Sequence, residues 1–175
     1  MMDCMLDLET MGNGPDAAII AIGAVAFDAA KGVLPDGVDT HFYALVDLSD
    51  AMRCGGVVDG DTVMWWMARD ESARAQFKEA AQTTLSALTN FALWMDRNKI
   101  KNVWGNGADF DNVILSAAYR RLELPLPWKF YNNRCYRTVK NMVPHIKLQR
   151  VGTYHNALDD AKSQAAHLLQ ILKSQ

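Results

Sequence analysis

Residues 2–28, MDCMLDLETMGNGPDAAIIAIGAVAFD, contain two predicted strands and the turn between them. The alternation in Met2–Glu9 predicts a strand that places Asp7 and Glu9 on the same face. The NGPD that follows predicts a turn. The apolar stretch Ala17–Phe27 then predicts a long buried strand. Two carboxyl groups at the end of a buried strand are unfavourable unless a metal ion or a base compensates their charge.

The remaining sequence predicts two more strands and five helices. The predicted strands are Thr40–Val46 and Asn102–Trp104, and the predicted helices are a short one capped at Asp61-Thr62, then Thr83–Arg97, Asp109–Leu122, Thr138–Met142 and Asn156–Lys173. Strands followed by alternating helices and short strands predict an α/β fold of three layers with a mixed sheet. The length predicts a single domain over residues 1–175.

The composition is that of a soluble globular protein. Half of the residues are hydrophobic and 22% are charged. The longest apolar run has eleven residues, whereas a membrane-spanning helix needs about 20, so no membrane association is expected. The N-terminal MMDCMLDLET has two acids and no base, unlike a signal peptide. The three cysteines are scattered, which favours a reducing compartment and predicts a cytoplasmic location.

The charges are distributed unevenly along the chain. Residues 1–61 contain eleven acids and two bases, a net charge of −9, whereas residues 62–175 contain sixteen bases and nine acids, a net charge of +7. The segment Leu124–Leu158 has six bases and no acid. Such a segment can hold phosphate groups, but on charge alone a solvated basic surface is the simpler interpretation.

Three separate elements each offer a carboxyl group at one end. Asp7 and Glu9 are at the end of the first strand, Asp109 and Asp111 at the start of a helix, and His155 and Asp160 at the last helix. Hard oxygen ligands of this kind suit Mg²⁺ or Mn²⁺ rather than Zn²⁺. Each acid alone could be solvated, and Asp109 could be a helix cap. Either Asp109 or Asp111 could therefore supply the middle carboxylate.

Three motifs, taken in order, resemble the DEDDh branch of the DnaQ-like 3′–5′ exonucleases. The D-x-E-T motif matches residues 7–10, and H-x-A-x-x-D matches residues 155–160. The usual H-N-x-x-F-D motif corresponds to NGADFD at residues 106–111, which keeps Phe-Asp but replaces His-Asn with Asn-Gly. This form, together with Trp65-Trp66, is similar to a phage and bacterial subgroup that contains exodeoxyribonuclease VIII-like and mycobacterial exoribonuclease-like proteins.

The resemblance implies a ribonuclease H-like fold with a mixed five-stranded sheet flanked by helices. It also implies metal-dependent 3′–5′ exonuclease activity on single-stranded DNA or RNA, with release of nucleoside 5′-monophosphates. Two Mg²⁺ or Mn²⁺ ions would be held by Asp7, Glu9, Asp111 and Asp160, with Asp7 between both, and His155 would take the proton of the attacking water. The predicted substrate-binding residues are Thr10, Met11, Gly12, Asn106, Phe110 and Arg137.

Alternatives remain open from the sequence. A catalytically inactive nucleic-acid-binding or scaffold protein of the same fold is the main one, and a ribonuclease H-like endonuclease or integrase is another. Trp65 and Trp66 favour a core or interface role over base stacking, although neighbouring helical positions allow one to be buried and the other free. A homodimer is also possible.

Overall fold

The computed structural model describes residues 2–35 and 37–174, so Met1, Asp36 and Gln175 of the predicted domain lie outside the described residues. In this part of the chain, five strands form one mixed sheet in the order β3-β2-β1-β4-β5. The strands are β1 Met2–Thr10, β2 Ile19–Phe27, β3 His41–Leu45, β4 Ile100–Gly105 and β5 Asn133–Cys135. Strand β1 is central, antiparallel to β2 and parallel to β4. The predicted five-stranded mixed sheet is confirmed.

Helices cover both faces of the sheet and complete the three layers. Among the described residues the α-helices are α1 Leu48–Arg53, α2 Gly60–Met67, α3 Glu71–Ala75, α4 Thr84–Arg97, α5 Asp111–Arg121, α6 Tyr136–Met142 and α7 Ala157–Lys173. Cys4, Leu6 and Leu8 of β1 pack in one core cluster with α4 and α5. Met5 packs in the opposite cluster with α6 and α7. Across the described ranges, no helix combines the length and the apolar character needed to cross a membrane.

Two glycines let helices approach the sheet closely. A Cβ atom at Gly23 of β2 would lie 2.1 Å from the carbonyl carbon of Ala157, in the first turn of α7. A Cβ atom at Gly105, the last residue of β4, would lie 2.4 Å from Oδ1 of Asn112 in α5. Gly23 pairs with Asp7 and Gly105 pairs with Leu6. The N-terminal ends of α7 and α5 therefore lie beside the end of β1 that carries the two acids.

The structure differs from the sequence prediction at several places. Helices α1 and α3 were not predicted, because six and five residues are too few to show helical periodicity. The short strand β5 was not predicted, because three residues with no apolar alternation give no strand signal. Helix α2 is capped by Asp59, whose side chain accepts a hydrogen bond from the Asp61 amide, rather than by Asp61-Thr62. Helix α5 begins at Asp111 and its N-cap is Phe110, so Asp109 is not the helix cap.

Replacing Gly23 with alanine tests the close contact between β2 and α7. We expect Gly23→Ala to lower the free energy of unfolding by about 2–3 kcal/mol, because the new methyl group overlaps the backbone of Ala157 and overpacks the contact. Urea denaturation measures the change. Gly60→Ala is the matched control, since a Cβ atom there would meet nothing within 4 Å. Equal stability of the two variants would contradict the proposed role of Gly23.

Candidate active site

An acidic cavity of about 200 Å³ opens where β1, β4, α5 and α7 meet. The described residues that line it are Asp7, Leu8, Glu9, Asn106, Phe110, Asp111, Arg137, Arg150, Tyr154, His155, Asp160 and Gln164. The five predicted catalytic positions all belong to this set. Folding thus brings together side chains that are up to 153 positions apart in the sequence, from Asp7 to Asp160.

Strand β1 supplies two of the carboxyl groups. Asp7 and Glu9 are separated by one residue and therefore project from the same face of the sheet. Gln164 of α7 donates a hydrogen bond from Nε2 to Oδ1 of Asp7 at 2.7 Å. This bond links the strand directly to the helix and fixes the orientation of the Asp7 carboxyl group.

Helix α5 supplies the third carboxyl group, that of Asp111. Its Oδ1 accepts a hydrogen bond from the Leu8 amide at 3.1 Å, and its Oδ2 accepts one from the Asn106 amide at 3.0 Å. Asp111 is buried, whereas Asp109 lies exposed in the preceding turn and does not line the cavity. Of the two alternatives, the structure therefore places Asp111 at the site.

Helix α7 and the segment before it supply Asp160 and His155. Oδ2 of Asp160 accepts a hydrogen bond from the His155 amide at 3.0 Å. Oδ1 of the same carboxyl group pairs with Nη1 of Arg150. Asn156 caps the helix by accepting hydrogen bonds from the amides of Leu158 and Asp159, which fixes the start of α7 next to the strand.

Aromatic rings surround the imidazole of His155. The ring of Tyr154 stacks on it with a centroid distance of 3.7 Å, and the ring of Trp65 meets it edge-on at 4.9 Å. The His155 carbonyl accepts a hydrogen bond from Gln76 Nε2 at 2.6 Å. His155 has a φ of 64°, a left-handed conformation that is uncommon for a residue other than glycine. The surrounding contacts hold this conformation in place.

Burial and mutual repulsion make the carboxyl groups hard to ionise. Burial raises the pKa of Asp7, and the neighbouring Asp111 and Asp160 raise it further. Burial and the carboxyl group of Asp7 raise the pKa of Glu9 to about 10, and burial raises that of Asp111 to about 7. Burial also raises the pKa of Asp160, which Arg150 opposes. Four such groups in one cavity need more positive charge than Arg137 and Arg150 provide.

The donor set fits divalent cations. One carboxylate oxygen each from Glu9 and Asp160 and a ring nitrogen of His155 lie within 4.8 Å of one another. Asp7 and Asp111 add further carboxylate oxygens on the same cavity wall. Oxygen-rich sites of this kind suit Mg²⁺ or Mn²⁺.

The predicted substrate-binding residues divide into two groups. Asn106, Phe110 and Arg137 line the acidic cavity. Thr10 lines an adjoining cavity of about 410 Å³, which shares Leu8, Glu9 and Phe110 with the acidic one. Its other lining residues are Asn13, Asp61, Thr62, Trp65 and Trp66.

The structure does not support a position at the site for Met11 and Gly12. Met11 lines a different cavity, with Ile20 and Phe77, and its amide donates to the carbonyl of Ala18. Gly12 lines neither the acidic cavity nor the adjoining one. The expectation that backbone amides near Thr10–Gly12 meet the 3′ end, with Met11 against the last base, stays a prediction. After β1 the chain turns and pairs with the segment before β2, so the Met11 amide is already engaged.

The two tryptophans have different environments. Trp66 is buried and donates a hydrogen bond from Nε1 to the carbonyl of Thr10 at 3.0 Å. Trp65 is 39% exposed and contacts His155. Trp66 thus belongs to the core, and Trp65 lines the adjoining cavity.

Sequence analysis did not identify several residues of the site. Gln164, Arg150 and Tyr154 lie outside the three motifs, although Arg150 belongs to the acid-free segment. Asp159, which precedes Asp160 in the chain, accepts a hydrogen bond from the Thr153 amide at 2.8 Å. A glutamine four residues beyond Asp160 would lie on the same helix face, and this spacing was the one available signal for Gln164.

The fold is that of ribonuclease H-like nucleases of the DEDDh type. The nuclease domain of 3′hExo, a DEDDh family member bound to rAMP, is similar with a TM-score of 0.64 and 18% identity, over 99% of this chain and 92% of that chain. The zinc-bound form of the E. coli ExoI–ssDNA complex is similar with a TM-score of 0.70 and 13% identity, over 99% of this chain and 41% of that chain. The predicted fold class is confirmed.

The sequence gives the family. A profile of the 3′–5′ exoribonuclease Rv2179c-like domain matches residues 2–172. The exodeoxyribonuclease of Enterobacteria phage T4 is 28% identical, in an alignment that covers 79% of this chain and 70% of that protein. The chain belongs to the Rv2179c-like family of 3′–5′ exonuclease domains, and the predicted enzyme class is confirmed.

Neutralising one buried acid tests the repulsion in the cavity. We expect Glu9→Gln to raise the free energy of unfolding of the metal-free protein by about 1–3 kcal/mol, since a buried carboxyl group beside Asp7 is replaced by a neutral amide. Thermal denaturation in the presence of a chelator measures this change. Asp109→Asn, at an exposed position, is the control and should shift stability by less than about 0.5 kcal/mol. A less stable Glu9→Gln protein would contradict the repulsion.

Proposed function

We propose that this 3′–5′ exonuclease hydrolyses single-stranded DNA or RNA from the 3′ end and releases nucleoside 5′-monophosphates, with two Mg²⁺ or Mn²⁺ ions. The observation that carries this proposal is the convergence of Asp7, Glu9, Asp111 and Asp160 with His155 in one cavity. The elements that bring them together are a central strand and the first turns of two helices, so the arrangement is a rigid one.

The four carboxyl groups would hold the cations in two sets. Glu9 and Asp160 lie close to His155 and form the first set. Asp111, which accepts hydrogen bonds from the amides of Leu8 and Asn106, belongs to the second. Asp7 interacts electrostatically with both Asp111 and Asp160 and so would serve both positions. Bound divalent cations supply positive charge that activates water and stabilises the leaving oxygen. They also offset the repulsion between the acids.

His155 is the candidate general base. Burial lowers the pKa of its imidazole, so the ring is neutral near pH 7 and can accept a proton. Stacking against Tyr154 and the edge contact with Trp65 restrict the rotation of the ring. A neutral, oriented imidazole beside Glu9 and Asp160 suits removal of a proton from the attacking water.

The adjoining cavity suits the 3′-terminal nucleoside. It has an aromatic wall at Trp65 and polar groups at Asn13 and Thr62, which are the groups that stack on and hydrogen-bond to nucleosides. Phe110 lines both cavities and would lie between the terminal base and the phosphate to be cleaved. Arg137 is exposed at the acidic cavity and would contact a phosphate.

The proposed substrates include both ribose and deoxyribose strands. The matching profile is that of an exoribonuclease, whereas the phage T4 relative is an exodeoxyribonuclease. Discrimination between RNA and DNA depends on contacts to the 2′-hydroxyl group of the ribose. The cytoplasmic location, the single domain and the homodimer also stay predictions.

Labelled single strands test the activity and its metal requirement. With 5′-labelled DNA and RNA oligonucleotides and Mg²⁺ or Mn²⁺, we expect a ladder that shortens from the 3′ end and disappears when the metal is chelated. Asp7→Ala should lower the rate roughly 10³-fold or more, because it removes the carboxylate shared by both metal positions. Denaturing gels and chromatography of the mononucleotide product measure the reaction.

Asp109→Asn is the matched control for this experiment, since Asp109 is exposed outside the cavity. Equal trimming by Asp7→Ala and the wild type would refute the metal site. Metal-dependent binding without release of mononucleotides would refute the proposed reaction.

Substitution of His155 separates proton transfer from binding. We expect His155→Gln to lower kcat by about 10²–10⁴-fold with little change in KM, because the variant loses the base but keeps the carboxyl groups. Steady-state kinetics on a short oligonucleotide measure both constants. His145→Gln, at an exposed position, is the control. A kcat of His155→Gln within twofold of the wild type would exclude His155 as the base.

A further inference from the structure

Arg150 is positioned by two contacts at the mouth of the acidic cavity. Its guanidinium pairs with Oδ1 of Asp160, and its Cζ lies 3.8 Å from the centroid of the Tyr154 ring. Tyr154 in turn stacks on His155, whose amide donates to Oδ2 of Asp160. Both oxygens of the Asp160 carboxyl group are therefore engaged by the segment that precedes α7.

The pair between Arg150 and Asp160 competes with a divalent cation for the Asp160 carboxylate. The carboxylate oxygen that accepts from Arg150 belongs to the group that lies within 4.8 Å of the ligand atoms of Glu9 and His155. A guanidinium stays charged at any pH that a folded protein tolerates. It cannot release Asp160 by losing a proton, and at this distance it would repel a divalent cation.

The side chain of Arg150 is half-exposed, whereas the backbone that follows it is held by α7. The Val151 amide donates to Oγ of Ser163 at 3.0 Å, and the Thr153 amide donates to Oδ2 of Asp159 at 2.8 Å. Both acceptors belong to α7. The Arg150 side chain is 44% exposed, compared with 10% for that of Asp160. Rotation of the side chain alone can therefore break the pair without moving the loop.

We infer that Arg150 is a latch that holds Asp160 in the metal-free enzyme and turns to the phosphate of the bound nucleotide when a cation takes the carboxylate. This inference rests on the proposed function, because it assigns one more residue to the same site. Arg150 already lines the cavity in which the phosphate must lie. A guanidinium binds a phosphate through two parallel hydrogen bonds, so the released side chain finds an equivalent anionic partner.

The latch makes two opposite contributions, one before and one after the metal binds. Before binding, Arg150 offsets part of the repulsion around Asp160 and competes with the cation. After binding, it increases the affinity for the nucleotide phosphate. Removal of Arg150 should therefore strengthen metal binding and weaken binding of a nucleotide, and a residue that merely supports the fold would do neither.

Calorimetric titration of Mn²⁺ into the nucleotide-free protein tests the first contribution. We expect Arg150→Gln to bind Mn²⁺ about three- to tenfold more tightly than the wild type, because the competing pair is absent. Lys162→Gln is the matched control: it also removes one positive charge close to the start of α7, but Lys162 pairs with Asp159 at 3.9 Å rather than with Asp160. Its affinity for Mn²⁺ should stay within about twofold of the wild type.

Titration of adenosine 5′-monophosphate and of adenosine at saturating Mn²⁺ tests the second contribution. Arg150→Gln should bind the monophosphate about tenfold more weakly than the wild type does and should bind adenosine with the same affinity. Only the monophosphate carries the phosphate group that Arg150 would contact. Arg150→Lys keeps the charge but not the two-pronged geometry, and should shift both affinities in the same directions by less. This variant tests the latch even if Arg150→Gln folds poorly.

Three results would overturn the inference. Competition between Arg150 and the cation is refuted if Arg150→Gln and Arg150→Lys bind Mn²⁺ no more tightly than Lys162→Gln does. The contact to phosphate is wrong if the monophosphate binds these variants as it binds the wild type. Absence of Mn²⁺ binding to the wild type refutes the metal site itself and the latch with it, whereas normal Mn²⁺ binding with unchanged variants refutes the latch alone.

Discussion

The first turn of α7 lies directly on strand β2, at a distance that no side chain on the strand would allow. A Cβ atom at Gly23 would lie 2.3 Å from the Leu158 amide nitrogen, and Gly23 is paired with Asp7 on the neighbouring strand. This contact sets the height of the helix above the sheet and brings Asp160 to the acids of β1. A second close approach occurs at the end of β4, where the absence of a side chain at Gly105 leaves room for the first turn of α5 and for Asp111. The active site depends on these two close approaches.

Bringing the helix ends this close to β1 is electrostatically unfavourable, because it gathers carboxyl groups in one place. Four buried or half-buried carboxyl groups share one small cavity, and burial raises the pKa of each of them. The metal-free protein tolerates them through a few specific contacts: two backbone amides for Asp111, Gln164 for Asp7, and Arg150 for Asp160. Glu9 has the other three acids as neighbours, and burial together with Asp7 raises its pKa to about 10. Binding of a cation among these carboxyl groups should therefore stabilise the folded protein.

The region around His155 connects the candidate general base to the cavity proposed for the terminal nucleoside. The imidazole is held between Tyr154 and Trp65, and Trp65 also lines the cavity proposed for the terminal nucleoside. A nucleotide bound in that cavity would therefore contact the Trp65 ring, which restrains the imidazole of His155. The segment before α7 carries Arg150, Tyr154 and His155 within six positions and is fixed to the helix through Ser163 and Asp159. One short segment thus provides the candidate base and the candidate phosphate contact.

The sequence by itself determined the local features: the strand that places Asp7 and Glu9 on one face, the longer helices and the three motifs with their order. These follow from hydrophobic periodicity and from residue spacing, which are properties of neighbours in the chain. Only the tertiary structure decided which acid of the second motif enters the cavity, where Met11 goes, and that Arg150 and Gln164 join the site. These outcomes depend on the height and angle at which helices pack on the sheet, and no periodicity in the sequence encodes the contact between Gly23 and Ala157. Short strand β5 was missed for the same reason, because its pairing with β4 rather than its own residues makes it a strand.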